Sequence, residues 1–201
     1  MQFLKTLSLS LVIFSCSSPN NYDILIKNGT IADGSGSPTY IASVGINADT
    51  IAAVGKLKAT GTIEIDATGL VVAPGFINVL SWATESLIED GRSLSDIMQG
   101  VTLEVFGEGW SMGPLNKDLK KKLQLPTAQG DIKYDINWNS LDEYLQSLTN
   151  RGISPNVASF IGATTVRINH IGYEDRAPTH QEMISMQNMV KEAMEDGALG
   201  I

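Results

Sequence analysis

Residues 71–114 read VVAPGFINVLSWATESLIEDGRSLSDIMQGVTLEVFGEGWSMGP, and this stretch decides the fold. An apolar run at 70–73 meets a Pro74-Gly75 turn, and a second apolar run follows at 76–80. Ser93 stands as a cap before a short helical pattern in which Leu94, Ile97 and Met98 share a face. Gly100 ends that pattern, and residues 101–106, VTLEVF, favour a strand. The order strand–helix–strand predicts a right-handed βαβ unit in a parallel sheet. Such sheets put their chemistry at the C-terminal ends of the strands.

Upstream, residues 22–69 read as a small all-β region. YDILIKNGTI at 22–31 alternates apolar and polar residues around Asn28-Gly29, which predicts a hairpin. Two further strands, 41–46 and 50–54, meet through Asn47-Ala48-Asp49, and Ile63 and Ile65 mark another before the Gly69 turn. Downstream, residues 70–201 continue the alternation of strand and helix. Ser140 and Glu143 have capping-box spacing, with Leu141, Tyr144, Leu145 and Leu148 on one side and Gly152 as the stop. Residues 156–161 are expected as a third strand. Thr179 and Glu182 form a second capping box before a helix expected to bury Met183, Met186, Val190, Ala193 and Met194. Residues 198–201 are expected as a fourth strand.

The composition is that of an ordinary globular protein, 43% hydrophobic and 18% charged, and the net charge of −8 argues against a nucleic-acid partner. The basic run at 117–122 has no interleaved aromatics and reads as a solvated helix face. A single cysteine excludes a disulfide within the chain. Residues 1–16 carry Lys5 and then an apolar run at 7–14 too short to span a bilayer. That pattern predicts a signal peptide. Ile13-Phe14-Ser15-Cys16 resembles a bacterial lipobox, with Cys16 as the lipidated residue and 17–21 as a tether. The expectation is an exported lipoprotein, periplasmic or on the outer membrane.

APGFIN at 73–78, QGVTLEVFGEG at 99–109 and NVASFIGATTVR at 156–167 resemble the amidohydrolase superfamily, and within it the N-acyl-D-amino-acid deacylases (D-aminoacylases). The resemblance implies an α/β fold: a (β/α)8 metal-dependent hydrolase barrel beginning at Phe76, preceded by half of a small β-sandwich. Residues 76–201 hold only half of the roughly 250 residues such a barrel takes, so the chain is expected to be the front part of a longer protein, inactive alone.

The resemblance further implies hydrolysis of an N-acyl-D-amino acid with zinc as cofactor. Its first metal ligands are a His-x-His pair at the end of the first barrel strand. Here those positions are Leu80 and Trp82, and the preceding family Asp is Asn78. The loss leaves one ion rather than two. With a one-residue gap, Glu108 stands where the family has a metal-binding Cys. It is either a substitute ligand, flanked by Gly107 and Gly109 for close backbone approach, or a solvated loop residue. Glu104, four residues earlier, shares a strand face with it and would point into the barrel alongside it. Ala163 replaces another family His. Arg167 matches a family Arg and is expected either to pack or to contact substrate. Trp82 and Trp110 either wall an apolar substrate pocket or pack in the barrel. His170 and His180 read as surface residues. The family's remaining ligands and its catalytic Asp would follow Ile201. The competing reading is a ligand-binding lipoprotein whose barrel has lost its metal.

Overall fold

The computed structural model describes residues 21–124 and 134–201, so Cys16 and the segment before it lie outside the described residues. The chain divides into two compact units, Met1–Pro74 and Gly75–Ile201.

The first unit is one sheet. Its strands are β1 (Asn21–Ile31), β2 (Tyr40–Asn47), β3 (Thr50–Gly55), β4 (Thr60–Asp66) and β5 (Val71–Val72). The order is β3-β2-β1-β4, with β5 also on β1. The β2–β3 hairpin turns at Ala48, whose φ of 50° is the left-handed value a tight hairpin needs. Asn28-Gly29 does not make the expected hairpin. Asn28 adopts φ 61°, and the register with β2 shifts between Ile26 and Gly29, so the pair is a bulge inside one continuous strand. The bulge lets β1 serve two parallel partners, β4 from Asn21 to Lys27 and β5 at Thr30 and Ile31. Gly29 is required there, since a Cβ would lie 2.5 Å from Val72 Cγ2. Residues 71–72 thus belong with the first unit, and the boundary falls at Pro74 rather than Gly69. Ile31, Ala42 and Val44 form its buried core.

The second unit is α/β. The strands β6 (Phe76–Asn78), β7 (Val101–Phe106) and β8 (Asn156–Ser159) form a parallel sheet in that order. Around them lie α1 (Ser86–Glu89), α2 (Leu94–Ile97), α3 (Lys117–Leu123), α4 (Leu141–Arg151), α5 (Ala163–Ile171) and α6 (His180–Glu195). Both capping boxes form as the spacing predicts, Ser140 with Glu143 on α4 and Thr179 with Glu182 on α6. Leu141, Tyr144 and Leu148 of α4 pack with Phe106 of β7 and Trp138 in one continuous core. The Trp138 ring stacks on Tyr134 and meets Tyr144 at a tilt, while its indole N–H donates to Met112 O at 2.6 Å.

Three expectations fail in this unit. Residues 198–201 make only two backbone bonds beside β8, Leu199 N to Ser159 O and Ile161 N to Gly200 O, too few for a strand. On α6 only Ala193 is fully buried; Met186 and Val190 pack partly on the core, and Met183 and Met194 stay exposed. Ser93 is no helix cap. It lies at φ 44°, ψ 48° and makes no capping bond, a conformation that costs a non-glycine residue about 1–2 kcal/mol. Leu94 and Met98 of that short helix are also exposed.

Candidate active site

The C-terminal ends of β7 and β8 are joined by backbone contact that only glycine allows. Gly107, at φ 95°, lies where a Cβ would sit 2.2 Å from Phe160 O. Gly162 is equally confined, its Cβ position 2.6 Å from both Gly109 O and Ser111 N. Thr164 N donates to Gly109 O at 2.9 Å, and the buried Ser111 hydroxyl accepts from Gly162 N at 3.0 Å. Thr165, also buried, accepts from Ser111 N at 2.9 Å. The loop at 107–111 is therefore fixed on the start of α5. It presents Glu108 and Trp110 outward, the tryptophan 40% exposed. Ala163 is exposed on the same rim.

Beside it runs the segment after β6. Ser81 N donates to Val105 O at 2.9 Å, so this segment tracks the end of β7. Ala83 N donates to Ser81 Oγ, and Tyr144 Oη donates to Thr84 O at 2.8 Å. Tyr134 Oη donates to Glu85 Oε1 at 2.6 Å, and burial, reinforced by that carboxylate, holds its phenol above the ordinary tyrosine range. The backbone is pinned while the side chains of Leu80 and Trp82 stand 49% and 69% exposed. These two residues follow β6 and Trp110 follows the neighbouring β7, and all three side chains are exposed at the C-terminal ends of those strands.

Glu104 does not accompany Glu108. It is completely buried, and its two oxygens accept from Ser81 Oγ at 2.6 Å and Ser93 Oγ at 2.9 Å. Ser93 leads into α2 of the crossover, so Glu104 points toward the helical layer. Strand periodicity correctly pairs the faces of alternate residues but does not say which face is interior, because both faces of a parallel sheet are covered. The sequence signal was a lone acid within an apolar strand, with serines at the ends of both neighbouring elements.

Arg167 bonds to the chain's own backbone. Its Nη2 donates to the carbonyls of Glu174 and Arg176, both at 2.8 Å, and so holds the connection from α5 to α6. Arg176 in turn bonds Glu174 and the capping residue Glu182. Its guanidinium, followed by the Thr179 bonds, holds the Glu182 carboxyl far below the usual carboxylate range. His170 lies in the last turn of α5 and His180 is exposed in the first turn of α6.

As a metal centre on their own, the residues do not fit. Among the described residues no group of three or more His, Cys, Asp or Glu is disposed to hold an ion, and Glu108 is a single exposed carboxylate. Among the described residues no helix is long and apolar enough to cross a membrane.

Comparison with known proteins gives concordant relatives. A D-aminoacylase of Alcaligenes xylosoxydans xylosoxydans is 34% identical over 93% of this chain and 38% of its own length. A solved D-aminoacylase, described as defining a novel subset of amidohydrolases, aligns with a TM-score of 0.73 and 31% identity over 90% of this chain and 38% of its own. The N-acyl-D-glutamate deacylase of Bordetella bronchiseptica, solved with zinc and a phosphonate inhibitor that mimics the tetrahedral intermediate, aligns with a TM-score of 0.75 and 30% identity, over 90% and 38%. The chain thus spans well under half the length of these relatives. No family model matches it.

Proposed function

Because the chain belongs to the D-aminoacylase family of amidohydrolases, we propose that it is the front part of a metal-dependent hydrolase that cleaves the amide bond of N-acyl-D-amino acids. The observation that carries this reading is the glycine-locked junction of the loop at 107–111 with the start of α5. It makes a rigid rim at the C-terminal strand ends, where α/β hydrolases keep their chemistry. In this reading the parallel sheet is the opening of a (β/α)8 barrel, and the five-stranded sheet is half of a small sandwich. Residues 1–16 are a lipoprotein signal, and the protein is exported and anchored to the membrane through Cys16.

One zinc ion is proposed, with Glu108 as the ligand from this chain and the remaining ligands from outside the 201 residues. Such a cation activates water and polarises the amide carbonyl. The part assigned to the chain's own residues is to set the shape of the site. Leu80, Trp82 and Trp110 form an apolar wall for the acyl group or side chain, and the locked backbone keeps Glu108 at the rim. Arg167 fixes the α5–α6 connection, with no contact to substrate.

The test is Glu108→Ala in the whole protein. Zinc content and deacylation rate should fall together, and a variant with normal zinc and normal rate would remove Glu108 from the site. A second reading is a ligand-binding lipoprotein without catalysis. What motivates it is the resemblance read from the sequence, which implies histidines at the positions taken here by Leu80, Trp82 and Ala163. Whole protein that purifies without stoichiometric metal and binds acyl amino acids unhydrolysed would favour it.

A further inference from the structure

Glu104 has no part in the reading above, yet it is the most completely enclosed carboxylate of the second unit. Its oxygens are held by two serine hydroxyls, and among the described residues no Lys, Arg or His pairs with it. A buried carboxylate is costly unless its geometry is well satisfied. Ser93 supplies one of those bonds from a left-handed backbone that serine seldom adopts, so the chain holds that conformation where the hydroxyl reaches Glu104. The other bond goes to Ser81, the residue between Leu80 and Trp82. Its backbone N is tied to β7 and its Oγ accepts from Ala83 N.

We propose that Glu104 is a positioning residue: through Ser81 it fixes the angle at which Leu80 and Trp82 line the site, and so sets how an apolar acyl group or side chain is received. The proposal rests on the deacylase reading for the identity of what is received, but not for the arrangement itself. The two hydroxyls donate to different oxygens of the carboxylate, Ser81 to Oε2 and Ser93 to Oε1. In Glu104→Gln one oxygen becomes an amide donor, and one buried serine hydroxyl loses its acceptor. Ser81→Ala removes the same link from the other side with little change in volume.

The experiment uses the whole protein labelled with 5-fluorotryptophan, its fluorine lines assigned through Trp82→Phe, Trp110→Phe and Trp138→Phe. In Glu104→Gln and in Ser81→Ala the Trp82 line should broaden or shift, while the line of the buried Trp138 stays in place. With N-acetyl-D-leucine, KM should rise about tenfold with kcat changed far less, as expected for a misplaced wall rather than altered chemistry. Should Glu104→Gln fail to fold, Ser81→Ala carries the test alone. An unchanged Trp82 line in the folded variants overturns the proposal. So does a joint movement of the Trp82 and Trp138 lines, which would mean general loosening. If the wild type hydrolyses no N-acyl-D-amino acid, the deacylase reading falls and the fluorine lines still judge Glu104.

Discussion

Three glycines at the rim separate backbone strain from steric contact, because they differ in which of the two they carry. Gly109 has φ 72° and nothing within 4 Å of its Cβ position, so Gly109→Ala meets strain alone, about 1–2 kcal/mol. Gly162 has an ordinary φ of −67°, but its Cβ would lie 2.6 Å from two backbone atoms. Backbone cannot rotate aside as a side chain can, so Gly162→Ala meets contact alone, about 1–3 kcal/mol. Gly107 carries both, with φ 95° and a 2.2 Å approach to Phe160 O. Adding the two costs puts Gly107→Ala at about 2–5 kcal/mol, which lowers the Tm of a unit this size by about 10 °C or more. Thermal unfolding followed by far-UV circular dichroism gives the order of stability: Gly109→Ala above Gly162→Ala, with Gly107→Ala lowest. Intrinsic fluorescence should also report the Gly107→Ala and Gly162→Ala changes through Trp110, since the loop must lift from α5 to relieve the contact. A Gly107→Ala protein that melts within a degree or two of Gly109→Ala would refute the close approach, and with it the rigid rim.

Further outcomes follow from the same structure. Ser140→Ala and Thr179→Ala each remove a helix cap and should cost about 1 kcal/mol in denaturant unfolding; unchanged midpoints would mean the boxes are idle. Asp90, held by Arg92, has its carboxyl lowered to about 2, and Glu182 is lowered by Arg176. Both are depressed carboxylates, so their stabilisation is present above the unfolded value near pH 4 and is lost as pH falls through the folded one. Stability should therefore decline below about pH 4, and Glu182→Gln should flatten that acid limb. Arg167→Lys should loosen the α5–α6 connection and lower the melting temperature with KM unchanged, because the shorter lysine stem does not carry its ammonium to where Nη2 meets both carbonyls. A raised KM would return Arg167 to the substrate.

What was legible in the sequence is what short-range spacing dictates. The capping boxes at Ser140 and Thr179 and the strand at 101–106 need only a few neighbouring residues, and they form as read. Asn28-Gly29 was misread because a turn and a bulge ask for the same left-handed residues. Only the parallel partners of β1, from 60–66 and 71–72, decide between them. Ser93 was misread for a similar reason. Its hydroxyl goes to Glu104, eleven residues away, in place of the local N–H a cap would take. Glu108 and Trp110 read as residues of a glycine-containing loop after the strand, and the structure places both there, exposed. The candidate site was illegible at Glu104 and Arg167, whose partners are a serine in a distant crossover and a pair of backbone carbonyls.

The proposed activity, metal-dependent deacylation selective for the D configuration, can be assayed as such. The most direct test is to offer the whole protein the D and L forms of N-acetyl-leucine and N-acetyl-glutamate, with bound zinc measured before and after chelation. Hydrolysis of D forms only is expected, with loss of rate in step with loss of zinc and recovery when zinc is returned. Zinc-loaded protein that cleaves neither enantiomer, or zinc-free protein that keeps its full rate, would contradict it.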